Sequence, residues 1–221
     1  NKILGNYNAL IQEIQKMLLK SEYQSAYPKL MIELGKIYHE KGDISAEREA
    51  YQEVLYLYSD TRSAKEEVTE ANYFLALLEI EHRFNFEVIG DYLEKAKKGK
   101  GKYQKEAKKL FERLNDLEDL MEVYKLYGSD DEKLDTGEEF DLTLFKISQS
   151  FYFDFNRPDS AKSRYEELLK KFPNSGYYEL TSGILESMEK NQNMPQVLYS
   201  EEISKLSDDE ITTEELSVVV E

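Results

Sequence analysis

The chain has 221 residues, contains no cysteine and carries a formal net charge of -16. Without cysteine, disulfides, thiolate zinc sites, iron–sulfur clusters and a cysteine nucleophile are excluded. The acidic balance argues against general nucleic-acid binding, which needs a basic footprint, and against docking on anionic lipid by bulk charge. No apolar run approaches the roughly 18 residues of a membrane span. Glu, Lys, Leu, Ala and Tyr at helical spacing predict an all-helical protein.

The N-terminal segment predicts one amphipathic helix. A turn is expected at residues 5–7, where Gly and Asn stand together, and the helix is expected to follow this turn. Its apolar residues recur at intervals of three and four positions on one helical face: Leu10, Ile14, Met17 and Leu18. We interpret this helix as the second member of a helical pair whose first member is missing, or else as an unusual capping helix.

A complete helical pair is predicted over residues 28–58. The first helix has large and small residues on one face: Met31, Leu34, Gly35 and Tyr38. Gly42 supplies a backbone conformation that the turn needs, and Tyr51 is the aromatic residue of the second helix. Glu47 departs from this pattern, because a small residue is expected at its position. We therefore expect a slight rotation of the second helix there.

A longer helix is predicted from about residue 62 to 82. Its apolar stripe has four members: Tyr73, Ala76, Leu77 and Ile80. A turn at residues 83–86 leads to a short second helix, which is lined by Ile89, Leu93 and Ala96. The long first helix stretches the spacing of the pair, so we interpret this pair as a degenerate copy of the preceding one.

Lysines and two glycines follow at residues 97–102, and glycines so close together predict the end of a helix. A third helical pair is expected over residues 104–127. Its turn is predicted at Asn115 and Asp116, because both residue types favour turns. The polar and acidic residues 128–139 then predict a loop that interrupts the succession of pairs.

The most regular pattern extends from Phe145 to Pro173. Phe145 is followed seven positions later by the aromatic Tyr152, and a turn precedes Pro158. The second helix then has a small, an aromatic and three large residues on one face: Ala161, Tyr165, Leu168, Leu169 and Phe172. This spacing resembles a tetratricopeptide repeat, a helix–turn–helix unit of about 34 residues. Such units bury their apolar faces by stacking in series.

The end of this segment resembles tetratricopeptide proteins of the bacterial cell envelope. It is similar to units of BamD-like outer-membrane assembly lipoproteins and of Tol–Pal-associated coordinator proteins. The residues that carry the resemblance are Ala161, Tyr165, Phe172, Pro173, Asn174 and Ser175. The resemblance implies a helical scaffold that holds protein partners. It also implies a periplasmic or cell-envelope location, with the cytoplasm as the alternative.

Together these elements predict an all-α fold, a tetratricopeptide-like helix–turn–helix solenoid. We expect about four to five helical pairs wound as a right-handed superhelix. The solenoid is predicted over residues 1–190, with its first pair incomplete and a capping helix at residues 177–190. Over residues 191–221 the periodicity weakens and acidic residues accumulate. This composition predicts a tail that is at most partly ordered.

The concave groove of such a solenoid is expected to bind a partner, and the first helix of each pair faces it. In the register that the repeat implies, eight residues are candidates for this protein-binding groove: Ile32, Lys36, His39, Phe74, Leu78, Lys146, Ser150 and Phe153. A register error of one residue would move most of them to another face. The remaining tyrosines and phenylalanines are expected to form the core.

Four other patterns suggest chemistry, and each has a simpler interpretation. Residues 135–137 spell one aspartic-protease triplet, but no second triplet or β pattern accompanies it, which favours a surface turn. The acidic residues 128–139 lack the alternating spacing of a calcium loop, so a solvated loop is favoured over a weak cation site. His39 and His82 have no third ligand or nucleophile at a suitable spacing. Lysines at residues 95–109 lack a phosphate-loop motif, which favours a solvated turn over an electrostatic docking patch.

These observations predict a non-catalytic interaction scaffold with protein partners, without a cofactor, a metal or a small-molecule substrate. The scaffold would bind a partner segment in its groove. A structural or oligomerisation spacer within a longer protein is the alternative. An accessory to a glycan-processing enzyme, with its catalytic domain outside this chain, is a third and weaker hypothesis. Membrane tethering outside the chain is compatible with each of them.

Overall fold

The computed structural model describes residues 2–126 and 137–190, with side chains from residue 7 and from residue 140 onward. All regular elements of this described part are helical. The α-helices are α1 (Lys2–Leu18), α2 (Tyr27–Lys41), α3 (Ile44–Tyr58), α4 (Lys65–His82), α5 (Phe86–Lys97), α6 (Tyr103–Leu126), α7 (Gly137–Gln149), α8 (Pro158–Lys171) and α9 (Tyr178–Glu189). Short 3₁₀ turns, Ser21–Ala26 and Arg62–Ala64, precede α2 and α4, and a π-helical turn, Ser150–Asp154, follows α7. The all-α fold class is confirmed.

The described residues form two compact units. The first contains the residues up to Glu122 together with Ser150–Arg157, and the second contains Val123–Gln149 and the residues from Pro158 onward. In the first unit each helix from α1 to α4 packs on the next one, and in the second unit α8 packs on α7 and α9. Packing between consecutive helices is typical of helix–turn–helix arrays, and it confirms the tetratricopeptide-like fold. The right-handed superhelix stays a prediction.

The turn between α2 and α3 has the predicted chemistry. Pro28 lies in the first turn of α2, where its missing N–H costs nothing. Gly42 ends this helix with a φ of 76°, in the left-handed region that favours glycine. Asp43 then caps α3, because its side chain accepts a hydrogen bond from the Ala46 N–H at 3.3 Å. These local signals explain why the sequence locates this turn correctly.

Gly35 lets α2 and α3 approach each other closely. A β-carbon at this position would lie 2.3 Å from Cε1 of Tyr51, well inside van der Waals contact. The Tyr51 ring is buried and fills the space that the glycine leaves. Around this contact lies the core of the first unit: Ile11, Met31, Ile32, Leu34, Ala50, Tyr51, Val54, Ala71 and Leu75. Burying a large apolar side chain stabilises the fold by about 1.5–3 kcal/mol.

The predicted turn at residues 5–7 is wrong, because α1 continues through it from Lys2 to Leu18. A glycine inside a helix costs only about 1 kcal/mol, which packing of the helix on the core can offset. The apolar stripe is confirmed at Ile14 and Leu18, which pack on the core, but Ile11 takes the place of Leu10. Ile11 is buried, Ile14 packs against the same core, and Leu10, which the stripe was expected to include, is 45% exposed.

The turn that the sequence predicts at Asn115 and Asp116 is also wrong. α6 runs without interruption from Tyr103 to Leu126. Leu114 and Leu117, on either side of the predicted turn, are both buried three residues apart on one helical face. Their burial outweighs the modest turn preference of the residues between them. The preceding connector is confirmed, since α5 ends at Lys97.

The turn after α4 contains a non-glycine residue in the left-handed region, Phe84, with a φ of 54°. Its ring contacts the rings of Phe86, Phe151 and Phe155 at centroid distances of 5.2–5.3 Å. The Arg157 guanidinium lies 5.5 Å above the same ring and donates a hydrogen bond to the carbonyl oxygen of Ile80 at 2.6 Å. This aromatic packing offsets the backbone strain and fixes the end of α4.

Helices α7 and α8 of the second unit contain most of the most regular pattern of the sequence. On α8 the predicted face is buried at Ala161, Tyr165 and Leu168. The Phe145 ring of α7 packs on the Tyr165 ring at 5.9 Å and stacks on the Tyr177 ring at 5.0 Å. A helix is present where the capping helix was predicted, as α9, and its capping role stays a prediction. The π-helical turn at the end of α7 was not predicted, because no further turn of that helix follows it to show the shift in apolar spacing that an extra residue causes.

Two predictions fall largely outside the described residues. Residues 137–139 of the expected acidic loop belong to α7, which corrects the predicted end of that loop. The remainder of the loop, including the first two residues of the protease-like triplet, lies outside the described part. The predicted tail at residues 191–221 lies outside it as well, so the division of the chain at residue 190 stays a prediction.

Glu167 on α8 is expected to stabilise the second unit in a pH-dependent way. Burial raises its pKa, but hydrogen bonds from Lys171, Tyr124 and Arg164 outweigh burial and hold the pKa at about 2. Because the folded-state pKa is lowered, the stabilisation is present above the usual range near 4.5 and is lost as the pH falls toward 2. We expect Glu167→Gln to cost about 1 kcal/mol at neutral pH, after allowance for solvent screening.

Urea unfolding at neutral pH and near pH 2.5 measures this effect. The cost of Glu167→Gln should be much smaller at the lower pH, where the carboxylate approaches its folded-state pKa of about 2. Glu166→Gln is the matched control, because Glu166 is exposed and lies 3.9 Å from the nearest lysine ammonium, that of Lys162. An equal loss in the free energy of unfolding for both variants at neutral pH would contradict the stabilising role assigned to Glu167.

Candidate functional site

The first unit contains a cavity of about 330 Å³, at the lower end of the range for ligand sites. It lies between α2, α3, α4 and the first residue of α6. Ten side chains line it: Lys36, His39, Glu40, Glu47, Tyr51, Phe74, Leu77, Leu78, Glu81 and Tyr103. The cavity, called the α2–α4 pocket below, thus combines aromatic and aliphatic walls with charged groups.

Aromatic rings form a continuous wall of the α2–α4 pocket. Tyr51 stacks on Phe74 with a centroid distance of 5.2 Å. Phe74 meets Tyr103 edge to face at 5.1 Å, and Tyr103 stacks on Tyr73 at 5.0 Å. Ring pairs in these arrangements contribute about 0.5–1.5 kcal/mol each beyond their buried area. The wall is therefore pre-organised for an apolar contact.

Lys36 provides a positive charge in the pocket, but two carboxylates neutralise it. Its ammonium donates hydrogen bonds to Glu70 at 2.7 Å and to Glu33 at 3.0 Å. The same ammonium lies 5.3 Å from the centre of the Phe74 ring. Burial lowers the pKa of Lys36, but the two carboxylates outweigh burial and leave the pKa raised. Lys36 is thus held in place as a charged wall of the pocket.

Glu47 occupies the position where the repeat pattern has a small residue, and the structure shows how its side chain is accommodated. Glu47 is only 4% exposed and faces the pocket, where a carboxylate oxygen lies 3.2 Å from Nδ1 of His39. Burial raises the pKa of Glu47, His39 lowers it, and the nearby Glu81 raises it further. The net effect is a raised pKa, which means that keeping Glu47 ionised in the pocket costs free energy.

A second buried ion pair lies behind this part of the pocket. Glu79 is 2% exposed and accepts hydrogen bonds from the guanidinium of Arg48 at 3.3 Å. The Arg83 guanidinium lies 4.0 Å from the same carboxylate. Breaking such a pair leaves an uncompensated charge. We therefore assign Arg48 and Glu79 a structural role in fixing α3 on α4.

The structure brings four of the eight predicted groove residues together, because Lys36, His39, Phe74 and Leu78 line the α2–α4 pocket. Ile32 instead lies in the core of the first unit with 1% of its surface exposed. The other three predicted residues are not among the lining residues: Lys146 lies in the second unit, Ser150 is buried in the π-helical turn, and Phe153 is half-buried. A binding role for all eight stays a prediction.

Six lining residues were missed by the groove prediction: Glu40, Glu47, Tyr51, Leu77, Glu81 and Tyr103. Helical spacing could have identified two of them, because Leu77 and Glu81 follow Phe74 by three and seven residues and therefore lie on the same helical face. Glu47 was noticed only as a departure from the repeat. Tyr103 belongs to a different helix, and no local pattern places it in the pocket.

The other sequence patterns gain no chemical role from the described residues. His82 lies 3.8 Å from Glu81, and His39 is paired with Glu47. Within residues 2–126 and 137–190, no group of three His, Cys, Asp or Glu side chains could hold a metal ion. No helix in the same ranges is long and apolar enough to cross a membrane.

Several lysines of the basic connector are engaged with neighbouring side chains. The ammonium of Lys97 lies 3.3 Å from the centre of the Phe111 ring, and that of Lys102 lies 4.4 Å from the centre of the Tyr103 ring. Lys98 pairs with Glu94 at 2.7 Å. Partial neutralisation of this kind favours the solvated turn. An electrostatic docking patch at these lysines stays a prediction.

Glu47→Gln is expected to raise the free energy of unfolding by about 1 kcal/mol at neutral pH. The pKa of Glu47 is raised by burial in the folded state, so folding favours the protonated form. The stability contributed by this group therefore falls as the pH rises above the usual carboxyl range, and glutamine removes that loss. Urea unfolding at neutral pH and near pH 4 should show the gain only at the higher pH.

Glu40→Gln is the control for this measurement, since Glu40 lines the same pocket but is exposed. It should change the free energy of unfolding by less than about 0.5 kcal/mol. A clear loss of stability in Glu47→Gln at neutral pH would mean that the contact with His39 outweighs burial.

A protein-family model described as a tetratricopeptide repeat matches residues 142–175. The matched segment contains the repeat predicted from Phe145 to Pro173, and the match confirms it. Neither a curated protein nor a solved structure matches the chain. The resemblance to bacterial envelope proteins therefore stays a prediction.

Proposed function

We propose that the chain is a non-catalytic scaffold that binds a segment of a partner protein in the α2–α4 pocket. Tetratricopeptide repeats generally mediate protein–protein interactions, and the repeat at residues 142–175 supports this class of function. The observation that carries the proposal is the aromatic-walled pocket itself. Its lining includes residues of α2 and α4, the first helices of two consecutive pairs that were expected to face a partner, together with residues of α3 and the first residue of α6.

The wall of the pocket suits a side chain that anchors a partner. Anchor pockets at protein interfaces are apolar at the centre and polar at the rim. Phe74, Leu77 and Leu78 provide the apolar part, and Glu40 and Glu81 are exposed at the rim. Because Phe74 is fixed by its stacking on other rings, little conformational entropy is lost when a partner binds.

Binding fits the lining residues better than catalysis does. His39 and Glu47 form the only acid–base pair among the ten lining side chains, and no serine or threonine nucleophile accompanies it in that set. The ammonium of Lys36 is held by two carboxylates, which raise its pKa. A raised pKa keeps the amine protonated and unreactive as a nucleophile.

Photo-crosslinking inside the source cells tests the proposal. A photoreactive phenylalanine analogue at Leu77, which is partly exposed in the pocket wall, should give a defined covalent adduct with another protein. The same analogue at Tyr56, which is 87% exposed on α3, is the control and should not give this adduct. Identical adduct patterns at both positions would contradict a pocket-centred function.

We further propose a periplasmic or cell-envelope location, with the cytoplasm as the alternative. The resemblance of residues 161–175 to envelope proteins supports this proposal. Fractionation of source cells with an antibody against the chain tests it. Recovery with periplasmic or membrane markers supports the envelope, and recovery with cytoplasmic markers alone would overturn it.

A structural or oligomerisation spacer is the second candidate, and exposed leucines on and just after α1 favour it. Leu10 is 45% exposed and Leu19 is 87% exposed. If they form a stacking surface, sedimentation velocity should show assembly that rises with protein concentration. Leu10→Glu combined with Leu19→Glu should abolish this assembly. A monomer at all concentrations would eliminate the spacer.

A further inference from the structure

The charged side chains of the α2–α4 pocket are divided unevenly between its two ends. Three carboxylates, those of Glu40, Glu47 and Glu81, form what we call the acidic end. Glu40 and Glu81 lie in the last turns of α2 and α4. The C-terminal ends of these helices carry a partial negative charge that adds to the carboxylates of Glu40 and Glu81, whereas Glu47 lies in the first turn of α3, where the partial charge is positive. Lys36 lies one helical turn earlier in α2, toward the opposite end.

The positive charge at the opposite end is already compensated. Lys36 donates to Glu70 and Glu33 at 2.7 and 3.0 Å. Lys102 lies on the Tyr103 ring, next to this end of the pocket. An acidic partner group would have to compete with two carboxylates that already hold Lys36. This end of the pocket therefore offers little attraction for an anion.

The carboxylates of the acidic end are only partly compensated. Glu47 faces His39 at 3.2 Å, and Glu81 lies 3.8 Å from His82. Glu40 has no ion pair within 4 Å among the described residues. The guanidiniums of Arg48 and Arg83 are directed to Glu79, which does not line the pocket. The nitrogen groups that lie near the carboxylates of Glu47 and Glu81 are thus the imidazoles of His39 and His82.

We infer that the acidic end binds a lysine or arginine side chain of the partner segment, an inference that rests on the function proposed above. The methylene stem of such a side chain would lie along Leu77 and Leu78, and its charged head would reach the carboxylates. Hydrogen bonds between a cationic head and carboxylates are roughly twice as strong as neutral ones. Because Glu47 is buried at the floor of the pocket, we expect its carboxylate to contact the charged head group of the bound side chain.

Other occupants fit these contacts less well. An apolar side chain would cover Glu47 and leave its carboxylate without a compensating partner from the ligand. An acidic side chain would meet three like charges, which suppresses binding of the wrong partner. A basic side chain satisfies the carboxylates and the aliphatic wall together. It would also relieve the repulsion between Glu47 and Glu81, which now raises the pKa of Glu47 in addition to burial.

Peptide pools with one fixed position test the inference on the full chain. Each pool consists of short peptides with random flanking residues and with lysine, arginine, norleucine or glutamate at the central position. Norleucine reproduces the aliphatic stem of lysine without its charge. Retention of each pool on the immobilised chain is measured at moderate salt. We expect the lysine and arginine pools to be retained about fivefold more than the norleucine pool.

Two double variants identify where the preference originates. Glu40→Gln with Glu81→Gln should abolish the advantage of the basic pools, because it removes two charges of the acidic end. Glu118→Gln with Glu122→Gln makes the same change in net charge at exposed positions of α6 and should leave the advantage intact. If both double variants lose the advantage equally, the preference comes from the overall charge, and the inference is overturned.

The outcomes separate this inference from the function on which it rests. Stronger retention of the norleucine or glutamate pool overturns the inference and leaves a partner-binding pocket in place. Retention of no pool above a chain-free surface contradicts both the inference and the proposed binding of a partner segment.

Discussion

Replacing Ala161 by glutamate is expected to lower the free energy of unfolding by about 3 kcal/mol or more. Ala161 is fully buried on α8, on the same face as Tyr165 and Leu168. A glutamate there would bring a charge into a close helix contact and would also exceed the available space. Urea unfolding followed by far-ultraviolet circular dichroism should show helix loss at a clearly lower urea concentration than in the wild type.

Ser163→Glu is the matched control, because Ser163 is exposed on the same helix. It adds the same side chain without burying it and should change the free energy of unfolding by less than about 0.5 kcal/mol. An Ala161→Glu variant as stable as this control would show that the register of α8 is wrong.

Replacing Gly35 by alanine is expected to destabilise the first unit by about 2–3 kcal/mol, the upper part of the range for overpacking a well-packed core. The new β-carbon would lie 2.3, 2.7 and 2.8 Å from three atoms of the Tyr51 ring. That ring is 1% exposed and stacked on Phe74, so it has little room to move away. The α2–α4 pocket should change shape as well, since Tyr51 lines it.

Gly90→Ala controls for the general effect of removing a helical glycine. A β-carbon at Gly90 would meet Leu114 at 3.9 Å, an ordinary contact. Because alanine favours helices, this variant should be stabilised by up to about 1 kcal/mol. If α2 and α3 are in close contact as described, thermal unfolding should show a lower melting temperature for Gly35→Ala and a higher one for Gly90→Ala. Stabilisation of both variants would refute that contact.

Local signals allowed the sequence to locate the most regular helical pairs. Pro28, Gly42 and Asp43 define the beginning of α2 and the turn to α3 through backbone preferences that act over a few residues. In the same way, the small and aromatic residues of α8 recur at one helical interval, and Ala161 and Tyr165 are buried as expected. Such features need no knowledge of distant contacts.

The incorrect helix boundaries have a common physical cause. Gly5 and Asn6, like Asn115 and Asp116, favour turns, yet each pair lies inside a continuous helix. Local preference amounts to about 1 kcal/mol per residue or less. In α6 the burial of Leu114 and Leu117 exceeds it, and in α1 the packing of Ile11 and Ile14 on the core offsets it. Whether a neighbour is buried depends on the packing of other helices. A sequence read segment by segment does not contain this information.

The candidate site was predicted only in part for the same reason. Lys36 and His39 line the α2–α4 pocket, on a face of α2 that follows from its apolar residues, and their binding role stays a prediction. Ile32, one turn before Lys36, belongs to the core instead. Tyr103 enters the pocket from α6, more than twenty residues along the chain from the other lining residues. Only the packing of helices within the first unit brings it there.

Selection of random short peptides on the immobilised full chain tests the central claim, that the α2–α4 pocket binds a partner segment. The binding of each selected peptide is then measured on Leu77→Asp, which changes the pocket wall, and on Tyr56→Asp, which changes an exposed position of α3. We predict that most selected peptides lose binding to Leu77→Asp and retain binding to Tyr56→Asp. Peptides that bind both variants equally well would contradict the claim.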